Sequence, residues 1–325
     1  MTTTAAPVTA PFRFFDVHVV RTRRLSTSMI RVTFGGDRLA ELASGGRDQR
    51  FKLFFPQPHQ DRPVFGDTSE AWYAAWRAQD PAERPLMRSY TIREQRHDPA
   101  EFDVDFALHG AEPSASPKLP TSPPLSTSFE RGDPHAQGGA PTGAGGPASR
   151  WAAQARPGDP LTVLAPAVED NGGVDFRPPS GTDWILLTGD ETALPAIGGI
   201  LSWLSPGTRA KVWIEVAHED DRQALPTFAD ADITWIVRDG HGHGTAAAPR
   251  EPVVDALRAA QLPDGTPYAW IAGEAGTVKA VRRHLVGERG IERRAVKFTG
   301  YWRRGASEEE LLAELTAGAA AGDED

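Results

Sequence analysis

The chain has 325 residues, 39% of them hydrophobic and 24% charged, a length and balance that suit about two globular domains, each large enough for its own core. A formal net charge of −9 makes it a poor general binder of nucleic acid or anionic membrane. There is no cysteine, which excludes disulfides, thiolate metal sites, cysteine nucleophiles and cysteine-held iron–sulfur clusters; redox chemistry here needs a bound cofactor.

The Thr/Ala-rich start, residues 1–10, lacks the basic and apolar runs of a signal peptide. No stretch approaches the roughly 18 apolar residues of a membrane span, so a cytoplasmic protein is the expectation; it is separately read as a monomer. Phe12 to Gly35 reads as a β-hairpin, with Phe15, Val17 and Val19 alternating against Asp16 and His18. Phe51 to Phe55 is a short strand stopped by Pro56, and Ser69 to Gln79 a helical excursion. Met87 to Arg93 is a strand with Arg88, Tyr90 and Ile92 on one face and Ser89, Thr91 and Arg93 on the other. Arg88 and Tyr90 lie about 7 Å apart along that face, suited either to an amphipathic edge strand or to a ligand with an aromatic ring and a phosphate. Glu101 to His109 alternates Phe102, Val104, Phe106 and Leu108 against Asp103, Asp105, Ala107 and His109; Leu161 to Leu164 is another strand. Short strands separated by turns suggest a small antiparallel barrel.

Residues 111–145 break the pattern with Pro, Gly, Ser, Ala and Thr, as a flexible or disordered insertion does; an ordered lid is the alternative. A helix starts at Gly146-Pro147-Ala148-Ser149-Arg150-Trp151, either simply capped or receiving a phosphate on its free N–H groups. After a linker at Arg177 to Thr182, strands and helices alternate. The strands are Trp184–Leu187, Lys211–Val216, Ile233–Val237, Tyr268–Ala272 and Ala295–Phe298. This predicts a doubly wound parallel sheet whose ligand lies beyond the strands' carboxyl ends. The Thr188-Gly189-Asp190-Glu191-Thr192 turn is not GxGxxG, yet Gly189 and the helix start behind it permit a nucleotide. Arg222 and Arg238 follow the second and third strands of this half; a 2′-phosphate there favours NADPH, whereas Glu215, Glu219, Asp220 and Asp221 argue for NADH, and the reading leans to NADPH. His241 and His243, in a glycine-rich loop with no third ligand nearby, read as solvent-facing rather than metal-binding. Trp203, Trp213 and Trp235 read as packing residues.

Several motifs stand in a recognisable order: Arg88-Ser89-Tyr90-Thr91-Ile92-Arg93, Val104 to Gly110, Gly146 to Ala152 with Pro157-Gly158-Asp159, Gly189 to Ile197, Ala272-Gly273-Glu274 and Gly300 to Gly305. From about Phe12 to Gly305 the chain resembles the siderophore-interacting proteins, FAD-containing, NAD(P)H-dependent ferric-siderophore reductases. The resemblance implies a ferredoxin-reductase-like plan: an N-terminal antiparallel Greek-key β-barrel for FAD (residues 1–176, with the insertion) and a parallel-sheet α/β nicotinamide-binding domain (residues 177–325). It implies that Arg88 binds the FAD pyrophosphate, that Tyr90 packs along the ring and ribityl chain, and that Ser89, Thr91 and His109 contact the flavin. Ala148, Ser149 and Trp151 then sit at the helix start facing the phosphates. Gly189, Asp190, Glu191, Thr192, Gly273 and Glu274 then border the NADPH or NADH pocket, to which the strand-end reading adds Arg222, and Tyr301 and Trp302 close over it or the flavin. Lys52, Arg303, Arg304 and Lys297 would receive an anionic ferric siderophore. No acid–base residue is required, since a flavin accepts two electrons and releases them singly. A small electron carrier is the alternative donor, and no nucleic-acid or membrane partner is implied. Two departures stand out: the 111–145 insertion, and Ala165-Pro166-Ala167-Val168 where the family has Gly-Pro-x-Gly. The tail beyond Ala306, with Leu311, Leu312 and Leu315 at helical spacing, resembles the C-terminal helix of one subgroup. The rival readings are a flavin oxidoreductase with another acceptor and a non-enzymatic siderophore-binding protein.

Overall fold

The computed structural model describes residues 10–69, 71–108, 145–238 and 252–306. The readings on His109, the insertion through residue 144, His241, His243 and the tail beyond Ala306 lie outside the described residues. Among the described residues, no helix is long and apolar enough to cross a membrane.

The first half is one antiparallel sheet. Its strands are β1 (Phe12–Arg24), β2 (Met29–Gly35), β3 (Arg50–Phe55), β4 (Leu86–Thr91), β5 (Glu94–His97), β6 (Ala100–Ala107) and β7 (Pro160–Pro166), in the order β4-β3-β7-β1-β2-β6-β5. The alternation in β1 buries Phe15, Val17 and Val19 and leaves Asp16 and His18 exposed, as period-two patterning requires. The sheet curls until β4 approaches β6: the Tyr90 ring lies 4.5 Å from Phe106, and the Arg93 N–H donates to the Asp103 carbonyl at 2.9 Å. Inside are Phe15, Phe34, Phe51, Phe102 and Phe106, each contributing ~1.5–3 kcal/mol by burial. Helix α2 (Pro147–Gln154) packs onto β2 and β6, with Ala148 and Ala152 in the same core. Outside the sheet, α1 (Trp72–Ala78) brings Trp72 and Trp76 against Phe14, Phe54 and Phe65.

β6 is buried on both faces. Its polar face does not meet water: Asp103 and Asp105 are both buried. Strand β5, which has no hydrophobic alternation to reveal it, brings Arg96 to Asp103 at 2.7 and 2.9 Å. Arg31 Nε donates to Asp105 at 2.6 Å and Thr33 Oγ1 to Asp103 at 2.6 Å. Burial alone raises Asp103, but the hydrogen bonds from Arg96 and Thr33 and the charges of Arg96 and Arg31 outweigh it and hold the carboxyl below its ordinary range.

The second half is a parallel sheet of β8 (Trp184–Gly189), β9 (Arg209–Val216), β10 (Asp230–Val237), β11 (Pro267–Glu274) and β12 (Val296–Trp302), in the order β10-β9-β8-β11-β12. Helix α3 (Leu194–Trp203) covers one face through Leu194, Ile197 and Leu201. Helices α4 (Pro252–Ala259) and α5 (Ala275–Arg283) cover the other through Val253, Leu257, Val278 and Val281. The order reverses direction between β8 and β11, which opens a crevice at their carboxyl ends.

Two carboxylates fasten the halves together. Asp48, 3% exposed, accepts from the backbone N–H of Asp175 and Phe176 and, at 2.9 Å, from Trp270 Nε1. Fully buried Asp221, just after β9, accepts from Ser26 Oγ at 2.5 Å and the Ser28 N–H at 3.0 Å, both in the β1–β2 turn. Neighbouring Asp220 accepts from Thr27. Barrel and helix also meet at Gly199 of α3, where a Cβ would come 2.1 Å from the Arg47 carbonyl oxygen.

Candidate functional site: a flavin strand joined to a nucleotide cleft

β4 pairs with β3 in a register that places Lys52 beside Ser89 and Leu53 beside Arg88. Lys52 Nζ donates to Ser89 Oγ at 2.6 Å. Arg88 is buried and its Nη1 donates to the Met87 carbonyl at 2.8 Å. Tyr90 and Ile92 follow on the Arg88 face and pack on the barrel core. Thr91 is buried and hydrogen-bonded to the Tyr301 hydroxyl, whose pKa burial raises. A strand of the first half thus touches a strand of the second directly.

Helix α2 begins at Gly146 with no side-chain cap, and a Cβ placed there meets no described atom within 4 Å. Among the described residues no side chain caps its first N–H groups, the kind of group an anion site at a helix start uses. Ala148 and Ser149 are buried in the first turn. Trp151 points elsewhere: its ring stacks on Phe34 at 6.1 Å and lies 6.0 Å from Phe106. Phe106 is thus the shared neighbour of Tyr90 and Trp151, so β4 and the start of α2 converge on one side of the barrel. An aromatic ring and an arginine on one face of β4, with an uncapped helix start packed on the same β6, fit a flavin with its pyrophosphate; Trp151 belongs to the wall behind them.

The crevice of the parallel sheet holds a cavity of about 170 Å³ lined by Thr188, Gly189, Asp190, Glu191, Glu274 and Trp302, among others. Asp190 ties its rim together. Oδ1 accepts from the Thr192 N–H, while Oδ2 accepts from the Glu274 N–H and from Trp302 Nε1, both at 2.8 Å. Gly273 is required there: its φ is +134°, and a Cβ would meet Asp190 Oδ2 at 2.7 Å. The Glu274 side chain caps α5 by accepting from the Thr277 N–H. Thr188 Oγ1 is buried, finds no hydrogen-bond partner among the described residues and lines the cavity, so a ligand group can satisfy it.

Deeper in the cavity, Arg238 Nη2 donates to both Glu191 oxygens at 2.7 and 2.8 Å, and Nη1 to Glu215 at 3.1 Å. Burial raises the Glu191 pKa against the pull of Arg238. It works to lower that of Arg238, where the two carboxylates prevail and raise it. Arg222 lies away from this lining and pairs with the exposed Glu219 at 3.0 Å.

The expected siderophore cations divide between two places. Lys297 Nζ meets Asp175 Oδ1 at 2.9 Å, and Arg50 Nη1 meets Asp175 Oδ2 at 2.8 Å. Arg50 and Lys52 stand two residues apart on β3, so Lys52 and Lys297 belong to one basic surface. Arg304 instead lines the nucleotide cleft, and Arg303 forms a bridge with Ala306. Sequence reasoning missed Arg50 and Asp48, and read Asp221 only as a charge bearing on coenzyme choice. Arg50 had a signal, the β3 alternation; the two aspartates had none, since their partners are remote in sequence.

Residues 18–170 match the family model described as the siderophore-interacting FAD-binding domain, and residues 182–305 that described as siderophore-interacting protein. The chain belongs to the siderophore-interacting protein family. The plan of this siderophore-interacting protein, a curled antiparallel sheet followed by a parallel one, is ferredoxin-reductase-like. A siderophore utilization protein from T. fusca is 30% identical with a TM-score of 0.67, covering 92% of this chain and 95% of its own. The ferric vibriobactin reductase ViuB of Vibrio cholerae is 27% identical, with 89% of each chain covered. The NADPH-dependent ferric-chelate reductase of Escherichia coli is 29% identical, over 89% of this chain and 93% of its own.

Proposed function

We propose that this siderophore-interacting protein is an FAD-dependent reductase that passes electrons from NAD(P)H to Fe(III) in a ferric siderophore and releases Fe(II) in the cytoplasm. The observation that carries this reading is the double attachment of one strand end. Tyr301 is bonded to Thr91 on the flavin strand, and the adjacent Trp302 is bonded to Asp190 at the nucleotide cleft. A donor in the cleft and an acceptor on β4 are therefore neighbours across a single strand. The relatives named as ferric vibriobactin reductase and NADPH-dependent ferric-chelate reductase support the acceptor class.

When bound, FAD supplies the step from two-electron to one-electron chemistry. The protein's own residues bind and orient. Arg88 and the open N–H groups of α2 hold the pyrophosphate by charge-assisted hydrogen bonds. Tyr90, backed by Phe106, offers a flat face to the ring. Gly273 and the Asp190 tether keep the floor of the cleft clear for a nicotinamide. Lys52, Arg50 and Lys297 attract an anionic ferric complex to the β3 side of the barrel. Reduction weakens the hold of hard oxygen chelators on the metal, so no acid–base residue is needed.

The test begins with an absorption spectrum of the purified protein, which should show bound flavin. Anaerobic addition of NADH or NADPH should bleach it. A ferric siderophore should then restore the oxidised spectrum while a ferrous chelator traps the product. Flavin that bleaches but is not reoxidised by ferric siderophores of any class refutes the acceptor, and absence of flavin uptake refutes the reading as a whole.

A further inference from the structure

The cleft has two ends. At the β11–β12 end, Trp302 closes it and the adjoining Tyr301 reaches the flavin strand. The other end lies over β9 and β10 and is formed by Glu215 and Arg238. A dinucleotide with its nicotinamide toward the barrel extends its adenosine half over β9, three strand spacings or ~14 Å from β12. Beyond the second strand of such sheets, a carboxylate takes the ribose 2′-hydroxyl or an arginine accommodates a 2′-phosphate.

Arg238 is the arginine in reach, and two carboxylates hold it. Its guanidinium serves Glu191 through two hydrogen bonds and Glu215 through a third. The Glu191 side chain is 3% exposed and that of Glu215 13%, so water screens their charge weakly. Among these three side chains one guanidinium already serves two carboxylates, which leaves it little charge to offer a third anion. A phosphate dianion entering there is repelled, or must displace a carboxylate that is then buried without its partner. A ribose hydroxyl meets the opposite situation: it donates a hydrogen bond to the Glu215 carboxylate, which gives only Oε1 to Arg238. Arg222 does not compensate, because it pairs with Glu219 away from the lining. Among the described residues, the remaining cation of the cleft is Arg304, at the β11 end, where its backbone N–H donates to Glu274.

We infer that the Glu191–Arg238–Glu215 triad makes this cleft select the dinucleotide without a 2′-phosphate, NADH, and that Glu215 sets the preference. The inference rests on the donor site proposed above. It sets this chain apart from the relative whose name specifies NADPH.

Two measurements test it. The FAD-loaded protein is titrated calorimetrically with AMP and with 2′,5′-adenosine bisphosphate, and kcat/KM is compared for NADH and NADPH. Binding and kcat/KM should both favour the form lacking the 2′-phosphate by about tenfold or more, equivalent to ~1.4 kcal/mol. Glu215→Gln, which leaves Arg238 to Glu191 alone, should reduce that ratio about fivefold, through the Kd of the bisphosphate and the KM of NADPH. Glu215→Asp should restore part of the preference. Equal or tighter binding of the bisphosphate by the wild type overturns the inference, as does a ratio that Glu215→Gln leaves unchanged. If that variant does not fold, the wild-type ratio decides. A preference for NADPH overturns the triad and leaves the donor site standing. Failure of both nucleotides to bind and of both coenzymes to bleach the flavin overturns the donor site and the triad with it.

Discussion

Replacing Asp48 with alanine tests the seam between the barrel and the parallel sheet. The carboxylate satisfies three donors: the backbone N–H groups of Asp175 and Phe176 and the indole N–H of Trp270. Alanine leaves all three without a partner at a position only 3% exposed. One orphaned buried donor costs ~1–3 kcal/mol, so the gross loss is ~3–9 kcal/mol. Two effects reduce it. Burial pushes the Asp48 pKa up, which marks an ionised carboxylate held at a cost, and removing it recovers that cost. Water can also enter the space left by the side chain. The lower end, ~3 kcal/mol, is expected. At ~2–4 °C per kcal/mol, the melting temperature should fall by ~6–12 °C. Asp48→Asn, which keeps the shape but offers one oxygen to three donors, should fall between wild type and alanine. The assay is thermal unfolding of the FAD-loaded protein, with Glu41→Ala as a control. Glu41 pairs with Arg13 and Arg38 on the exposed surface and should shift the melt little. If Asp48→Ala moves the melting temperature no further than that control, Asp48 is not the fastening described here.

Three more outcomes follow from the same geometry. Arg88→Lys should weaken FAD binding to the apoprotein by about 10–100-fold, the value of a lost charge-assisted fork, read by quenching of flavin fluorescence. Wild-type affinity would take the pyrophosphate away from Arg88. The double variant Lys52→Ala, Arg303→Ala should lose affinity for an anionic ferric complex, steeply so at low ionic strength; full affinity would remove both from the substrate surface. Asp103 titrates below the ordinary 3.8 because Arg96, Thr33 and Arg31 outweigh its burial. A carboxyl lowered in the folded state contributes stability that is present above the unfolded value and lost as pH falls through the folded one. Asp103→Asn should therefore lower the melting temperature at neutral pH yet flatten its decline below pH ~4; a decline as steep as wild type would show that other carboxyls carry it.

The elements that could be read in advance are those whose burial leaves a periodic trace. Phe15, Val17 and Val19 announce β1, and Leu194, Ile197 and Leu201 announce the inner face of α3. β5 leaves no such trace. Glu94, Gln95, Arg96 and His97 look like a solvent turn, and they form a strand because Arg96 reaches buried Asp103 and Glu101. Arg88 and Tyr90 were legible as a pair because a strand fixes their shared face. Trp151 was not, because the helix start and the ring point in different directions, and only the positions of Phe34 and Phe106 decide which way the ring goes. The acid-rich turn 219–221 looked like a comment on coenzyme choice. In the fold, Asp220 and Asp221 grip the β1–β2 turn, and of the residues then weighed only Glu215 and Arg238 line the cleft.

β7 lies in the middle of the antiparallel sheet, between β3 and β1, although it is the last of its strands to be synthesised. Until it arrives, β3–β4 and β1–β2–β6–β5 are two separate ribbons. Closing the sheet means bringing the chain after β6 back across its own middle, and the length of that excursion sets the entropy lost. The dependence is logarithmic: each doubling of the excursion costs only ~0.6 kcal/mol. The junction between β6 and α2 is therefore a place where evolution can lengthen the chain at little thermodynamic expense. The delay falls on kinetics, since the pairing that unites the sheet is also its most distant in sequence.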